Sequence, residues 1–316
     1  MALKRHITIL FLALTALAAS AQEDVSFAHY WAMPSFYNPA ATAVDAKLDV
    51  RAIYANQFTG FENCPKTLYV GADLPIYFLT PAHSAGASFL NDQSGLFTHM
   101  RISLQYAYHH SFGKNIKVSG GIRLMLLSET FDGSKVDVIA SGDPVVSSAK
   151  AKGTGFDLDF GVRVDYKKQW YAGISMLHLL SPRIEYGDDK IYQYNTSSAF
   201  YLTGGYNIKF RSPLFNMQLD AIVRTDLNKW RGDATARLMY NGEKHHLYFG
   251  ASYSPLNSAS IIVGGDFHGI TIGYSYEIYT SAIGFLHGTH EISLGYKADL
   301  DLFKKGRNLH KSVRHL

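Results

Sequence analysis

Residues 156–166 read Phe156-Asp157-Leu158-Asp159-Phe160-Gly161-Val162-Arg163-Val164-Asp165-Tyr166. The even positions are apolar, and the odd positions carry Asp157, Asp159, Arg163 and Asp165. Successive side chains of a strand leave on opposite faces. One face of this segment therefore suits hydrocarbon and the other suits water. Sandwich strands alternate as well, but the length of about ten residues, the charge on the polar face and the recurrence along the chain point to an outer-membrane β-barrel.

The pattern returns in both directions. In 99–109, Met100, Ile102, Leu104, Tyr106 and Tyr108 face out against His99, Arg101, Ser103, Gln105 and His109. In 215–226, Phe215, Met217, Leu219, Ala221 and Val223 oppose Asn216, Gln218, Asp220, Arg224 and Asp226. Ile270, Ile272, Tyr274 and Tyr276 alternate with Thr271, Gly273, Ser275 and Glu277. Fourteen strands are expected, near 47–59, 65–74, 82–91, 97–110, 115–127, 155–166, 169–180, 198–210, 214–226, 233–241, 245–254, 258–267, 269–279 and 288–299. The fold class is all-β, a single antiparallel transmembrane barrel. No stretch after the N-terminal leader is long and apolar enough for a spanning helix, and only helices and closed barrels satisfy the backbone in lipid.

The first 21 residues have the form of a secretory signal peptide: basic Lys4 and Arg5, an apolar run Ile7–Ala18, and Ala19-Ser20-Ala21 before Gln22. Residues 22–46 do not alternate and carry Phe27, Tyr30, Trp31, Phe36 and Tyr37. Such a segment would aggregate if exposed, so it is expected to fold against or into the periplasmic mouth as a plug. The barrel is expected over 47–299, followed by a basic periplasmic tail over 300–316.

An even strand number places both termini on one side, normally the periplasm. Connections on that side should be short: 112–115, 167–168, 211–213, 241–244 and 268–269, with 75–81 the exception. The opposite connections should be longer, among them 128–154, 181–197, 227–232 and 280–287. The short turns carry Lys114, Lys167, Lys168, Arg211 and Lys244, and the tail adds Lys304 and Lys305. These cations suit a periplasmic face that docks an acidic partner, or an ordinary solvated surface.

Other chemistry is poorly supported. The net charge of +4 is too small to argue for nucleic acid. Cys64 is the only cysteine, which excludes an intrachain disulfide. His109-His110 and His245-His246 point to opposite faces of a strand, and His287-Gly288-Thr289-His290-Glu291 lacks helical metal-ligand spacing. Asp157 and Asp159 stand roughly 7 Å apart on one face, the separation of an inverting glycosidase pair. Asp49, Arg51, Arg101, Arg123, Arg163, Asp220, Arg224, Arg237 and Glu291 also face inward, however, so an ion-paired lumen is the simpler reading. No catalytic residue, metal or cofactor is expected.

Pro34-Ser35-Phe36-Tyr37-Asn38-Pro39-Ala40-Ala41 and Gly288-Thr289-His290-Glu291-Ile292-Ser293-Leu294-Gly295-Tyr296 resemble the two end motifs of the PorP/SprF family of type IX secretion outer-membrane proteins. Asn91-Asp92-Gln93-Ser94-Gly95 is similar to its Asp-x-x-Gly segment, and Gly273-Tyr274-Ser275-Tyr276-Glu277 to its late Gly-Tyr-Ser-Tyr-Asp strand. The family's first-strand Trp is missing: Arg51 leads to Ala55-Asn56-Gln57-Phe58. The resemblance implies a non-enzymatic role in exporting or anchoring surface proteins. Implied partners are outer-membrane lipid and either periplasmic ring subunits with a peptidoglycan-binding lipoprotein or a co-encoded surface adhesin. Asn38, Pro39, Ala40, His290 and Glu291 carry the motifs, and Asn38, Pro39, His290 and Glu291 are expected to organise strand ends, with Glu291 on the lumen face. The rival from another class is a transporter or channel for small molecules, which a continuous apolar path through the lumen would favour. A surface enzyme is the third reading.

Overall fold

A computed structural model describes residues 24–61, 63–76, 82–133, 150–186, 192–243, 245–280 and 287–299. Its strands are β1 (Leu48–Asn56), β2 (Lys66–Pro75), β3 (His83–Ser94), β4 (Phe97–Phe112), β5 (Ile116–Asp132), β6 (Lys150–Tyr166) and β7 (Trp170–Leu177). There follow β8 (Arg183–Tyr186), β9 (Tyr192–Asn195), β10 (Ala199–Lys209), β11 (Phe215–Thr225), β12 (Trp230–Asn241), β13 (His245–Ser254), β14 (Ser258–Phe267), β15 (Ile270–Tyr279) and β16 (Thr289–Ala298). Fourteen of them close an antiparallel barrel, in which β1 pairs with β16 from Leu48↔Ala298 to Asn56↔His290. The expected strands are all present. Closure leaves no unpaired edge, which a membrane demands.

The alternation that predicts the barrel is its wall. Along β6, Phe156 and Phe160 are exposed, while Asp157, Asp159 and Arg163 are buried in the lumen. Outward-facing residues stay apolar from Tyr166 up to Phe156 and then turn polar at Thr154 and Lys152. Ten strand steps of about 3.3 Å, tilted by about 40°, give an apolar band roughly 25 Å tall, matching the hydrocarbon an outer-membrane barrel spans. On β5 the same change falls between Leu126 and Ser128, which pair with Phe156 and Thr154. Aromatic pairs mark the other edge, with Tyr166 stacked on Trp170 at 5.7 Å and Phe215 against Tyr240 at 5.4 Å.

Several expectations about the connections need correction. The 128–154 segment is not all loop, because β5 runs to Asp132 and β6 begins at Lys150. These residues stand above the hydrophobic belt, where an outward-facing strand position has no reason to be apolar. The 181–197 connection holds a hairpin, β8–β9, whose Ile184 packs with the inward-facing Met125, Leu127 and Ala151. The inequality of loop lengths is also imperfect, since β3 and β4 are joined on the nominally long side through Gly95 and Leu96 alone. β7 stops at Leu177, short of the expected 180, where His178 takes φ +58°.

Residues 27–43 are largely buried and pack against inward-facing side chains of the strands. A 3₁₀ turn (Tyr30–Ala32), a one-turn helix (Pro34–Tyr37) and a second 3₁₀ turn (Pro39–Ala41) follow in succession. Phe27, Tyr30, Met33, Phe36 and Tyr37 form one buried cluster with Ile53, Tyr69, Leu90, Leu177, Tyr201 and Ile222 of the wall. Phe36 packs edge-on against Phe27 at 5.6 Å, Tyr37 at 4.9 Å and Tyr69 at 5.2 Å. Fully burying an aromatic side chain of this kind is worth about 1.5–3 kcal/mol, so these contacts supply most of the drive for the segment to enter.

Candidate functional site

The two ends of the described chain meet in the lumen. Asn38 accepts from Ala40 N–H through Oδ1 (2.9 Å), capping the second 3₁₀ turn. Its Nδ2 donates to the carbonyls of Val162 (3.0 Å) and Ile174 (3.3 Å) on β6 and β7. Pro39 suits the first position of that turn because its missing N–H would have had no partner there. The wall opposite is glycine. A Cβ at Gly121 would sit 2.4 Å from Ala40 N, and one at Gly161 would sit 2.1 Å from Asn38 Oδ1. Gly121 and Gly161 are directly paired across β5 and β6, so together they open the recess that seats Asn38-Pro39-Ala40. The motif therefore lies against the mid-barrel wall rather than at a strand end.

Glu291 of β16 holds the other half of the segment. Its carboxylate accepts from Ala28 N–H (2.8 Å), His29 N–H (2.9 Å) and His29 Nδ1 (2.5 Å), with both side chains almost fully buried. Its neighbour His290 faces outward and pairs with Tyr274 OH at 2.7 Å. One buried polar residue thus fixes the segment while the adjacent one joins the aromatic surface, as the strand period requires.

Further anchors escape a reading of the sequence. Arg123 is 1 % exposed, ion-pairs with Asp159 at 3.0 Å, and donates to Phe36 O (2.9 Å) and to Ser35 O. Tyr30 OH donates to Asp220 O at 2.8 Å, and Ser175 Oγ to Tyr37 O at 2.6 Å. At the long-loop end, His178 Nδ1 meets Asp157 (2.6 Å) and its Nε2 meets Asp24 (3.2 Å). Burial opposes the charge on His178, but Asp24 and Asp157 outweigh it and the imidazole is pushed up to about 10. Burial likewise opposes the charge on Asp24, yet His178 and Arg101 hold its carboxyl well below the usual range. Asp157 and Asp159 are therefore committed to His178 and Arg123. Arg237–Asp220 (2.6 Å) and Arg224–Asp233 (3.0 Å) extend the ion-paired lining.

Below Trp31 and Pro34 the lumen opens at the short-turn end into a vestibule of about 920 Å³. Lys114, Lys167 and Lys168, three of the expected docking residues, line it. Arg211 sits on an exposed turn and does not contribute to the lining. Lys244, Lys304 and Lys305 lie outside the described residues. Lys117, Arg163, Arg51 and Lys297 line the vestibule as well and were not among the expected docking residues. Their inward parity on β5, β6, β1 and β16 was legible, but only closure of the ring brings them to one mouth. Among the described residues no group of His, Cys, Asp and Glu is arranged to hold a metal ion.

Residues 19–296 match the family described as Type IX secretion system membrane protein PorP/SprF. The chain belongs to that family. The PorP/SprF end motifs, far apart in sequence, thus converge on one segment inside the barrel, and the family's Asp-x-x-Gly element supplies Gly95, at φ +59° in the β3–β4 turn. No curated protein sequence matches this PorP/SprF chain. Its fold is similar to that of a Pseudomonas aeruginosa FadL homologue (TM-score 0.53, 11% identity, covering 84% of this chain and 93% of the other). It is also similar to the CymD monoaromatic hydrocarbon channel (TM-score 0.51, 11% identity, 88% and 94%). At such identities the likeness is one of fold alone.

Proposed function

We propose that this chain is a non-enzymatic outer-membrane anchor of type IX secretion. In this reading the signal peptide is removed near Ala21, the short-turn end faces the periplasm, residues 22–46 plug the barrel over 47–299, and the tail over 300–316 adds to a basic periplasmic face. The observation that carries the reading is the convergence of both family motifs on the N-terminal segment. Asn38-Pro39-Ala40 and Glu291 spend their polar groups holding that segment in the lumen, which leaves no polar cluster free for chemistry among them. A rigid closed barrel with a basic recess at one end suits docking. The partners are periplasmic ring subunits and a peptidoglycan-binding lipoprotein, or a co-encoded surface adhesin.

The fold likeness to a hydrocarbon channel favours small-molecule transport as a second reading. Against it stand the buried ion pairs that line the lumen wall and an aromatic cluster already filled by Phe27, Phe36 and Tyr37. The test is a deletion strain examined for surface-protein secretion and for growth on hydrophobic solutes. The anchor reading expects lost secretion with unaltered uptake, and the converse result would replace it with transport.

A further inference from the structure

A type I′ hairpin turn requires two successive residues at positive φ. The β14–β15 loop meets that demand in the usual way, with His268 at φ +58° followed by Gly269 at φ +87°. The three-residue β6–β7 loop, in which Tyr166 pairs with Trp170, makes the same kind of turn without a glycine. Lys167 stands at φ +49° and Lys168 at φ +54°, and Gln169 N–H closes the turn on Tyr166 O at 2.7 Å. In the left-handed region a Cβ crowds the following carbonyl, which is why Asn-Gly and Gly-Gly dominate such loops. Two consecutive lysines retain strain that Asn-Gly would relieve, and retained strain of this kind points to a use for the side chains.

The charges around the vestibule fall into two groups. Most of its deeper cations are matched to carboxylates: Arg163 with Asp165 (2.7 Å), Arg51 with Asp49 (2.9 Å), and Lys297 with Asp45 (3.4 Å) and Asp49 (3.1 Å), while Lys117 donates to Val44 O. At the rim, no carboxylate among the described residues lies within ion-pairing distance of Lys114, Lys167 or Lys168. Of these three, Lys168 acts on Asp45 at the vestibule edge. Partial enclosure works against its charge, yet Lys297, Lys117 and Lys168 hold its carboxyl below the ordinary range. Aromatic faces line the inner part, where Arg237 lies over Trp31 at 3.4 Å and Arg163 over Tyr171 at 3.9 Å.

We propose that this vestibule is a receptor for an acidic, extended segment of a partner protein, whose carboxylates are gripped by Lys114, Lys167 and Lys168. The proposal rests on the anchor reading, which turns this end toward the periplasm. It sharpens that reading from a basic outer face to a recess inside the strand ring, of a size that ligand pockets commonly have. Anionic lipid headgroups share the chemistry, but the recess lies inside the barrel with Trp31 and Pro34 at its inner end. The bilayer side of the same hairpin instead presents the stacked Tyr166 and Trp170.

The test uses the full mature chain in nanodiscs of zwitterionic phospholipid, with a labelled octaglutamate peptide and its octaglutamine counterpart. Octaglutamate binds, more weakly as salt rises, and octaglutamine does not. The double variant Lys167→Asn/Lys168→Gly binds at least about tenfold more weakly, the effect of losing one to two charge contacts, with no loss of thermal stability. Lys114→Gln, which leaves that turn alone, also weakens binding. Unchanged binding in both variants overturns the proposal. So does displacement of the peptide by lipopolysaccharide micelles at lower concentration than by unlabelled peptide, which would assign the site to headgroups. In cells, full secretion by the double variant beside lost secretion on deletion removes the receptor and leaves the anchor. Continued secretion on deletion removes the anchor, whatever the peptide does.

Discussion

Replacing Arg123 with Met asks whether the N-terminal segment is held by specific polar contacts or merely enclosed. Arg123 and Asp159 are 1 % and 0 % exposed and 3.0 Å apart. Removing one partner of such a pair costs about 3–5 kcal/mol, because the other charge stays buried. The guanidinium also donates to Ser35 O and Phe36 O, and hydrogen bonds from charged donors contribute about 1.5–3 kcal/mol each. Allowing for non-additivity within one network, the seating of residues 33–42 should weaken by about 3 kcal/mol, roughly a hundredfold in its equilibrium. Hydrogen exchange read by mass spectrometry reports this directly. The amides of Phe36, Asn38 and Ala41 are bonded only within the segment's own turns and fray once it leaves the wall. Their exchange should accelerate about a hundredfold, while β13–β15 exchange at the wild-type rate. The double variant Arg123→Met/Asp159→Leu removes both charges, so its heat resistance should recover, yet its segment should still exchange fast. Unchanged exchange over 33–42 in a folded Arg123→Met barrel would refute this account of the anchor.

Three further outcomes follow from the same contacts. Gly161→Ala places a Cβ where Asn38 Oδ1 now sits, 2.1 Å away, and should loosen residues 38–41 in the same exchange experiment, whereas Gly120→Ala, with open space around it, should not. The raised imidazole of His178 contributes stability that is fully present below its ordinary value near 6.5 and lost as pH rises through about 10. The depressed carboxyl of Asp24 contributes stability present above its ordinary value near 3.9 and lost as pH falls below it, so anchoring at this end peaks between about pH 4 and 6.5. Heat resistance should fall less between about pH 6 and 10 in His178→Gln than in wild type, and an equally steep fall would contradict the assignment. Lys167→Asn/Lys168→Gly should raise the thermal midpoint, since each non-glycine residue in the left-handed region costs about 1–2 kcal/mol. A lowered midpoint would mean that the lysines stabilise the turn.

Much of the barrel was legible because lipid outside and paired charge inside write a period of two into the chain. That signal fades where the membrane ends: Ser128, Thr130, Lys152 and Thr154 are strand residues above the belt, and their polarity resembles that of a loop. The four-residue strands β8 and β9 are too short to show a period at all. The seat of Asn38-Pro39-Ala40 was hidden for a different reason. Gly121 and Gly161 lie in separate strands, and a glycine advertises its missing side chain only when the group that fills the space is known. Glu291 was correctly placed on the lumen face by parity, but its partners Ala28 and His29 lie 263 and 262 residues away in sequence. Lys114, Lys167 and Lys168 were read from turn positions, and only closure of the ring joins them to Lys117 and Arg163 in one recess.

The central claim is that this barrel works as a docked component of the secretion machine. A tagged copy purified from native membranes in mild detergent, with its companions identified by mass spectrometry, tests that claim most directly. The account predicts recovery of periplasmic ring subunits with a peptidoglycan-binding lipoprotein, or of one large surface adhesin, and loss of these companions from Lys114→Gln and Lys167→Asn/Lys168→Gly protein. A folded barrel that emerges alone from repeated preparations would contradict it and turn attention to transport.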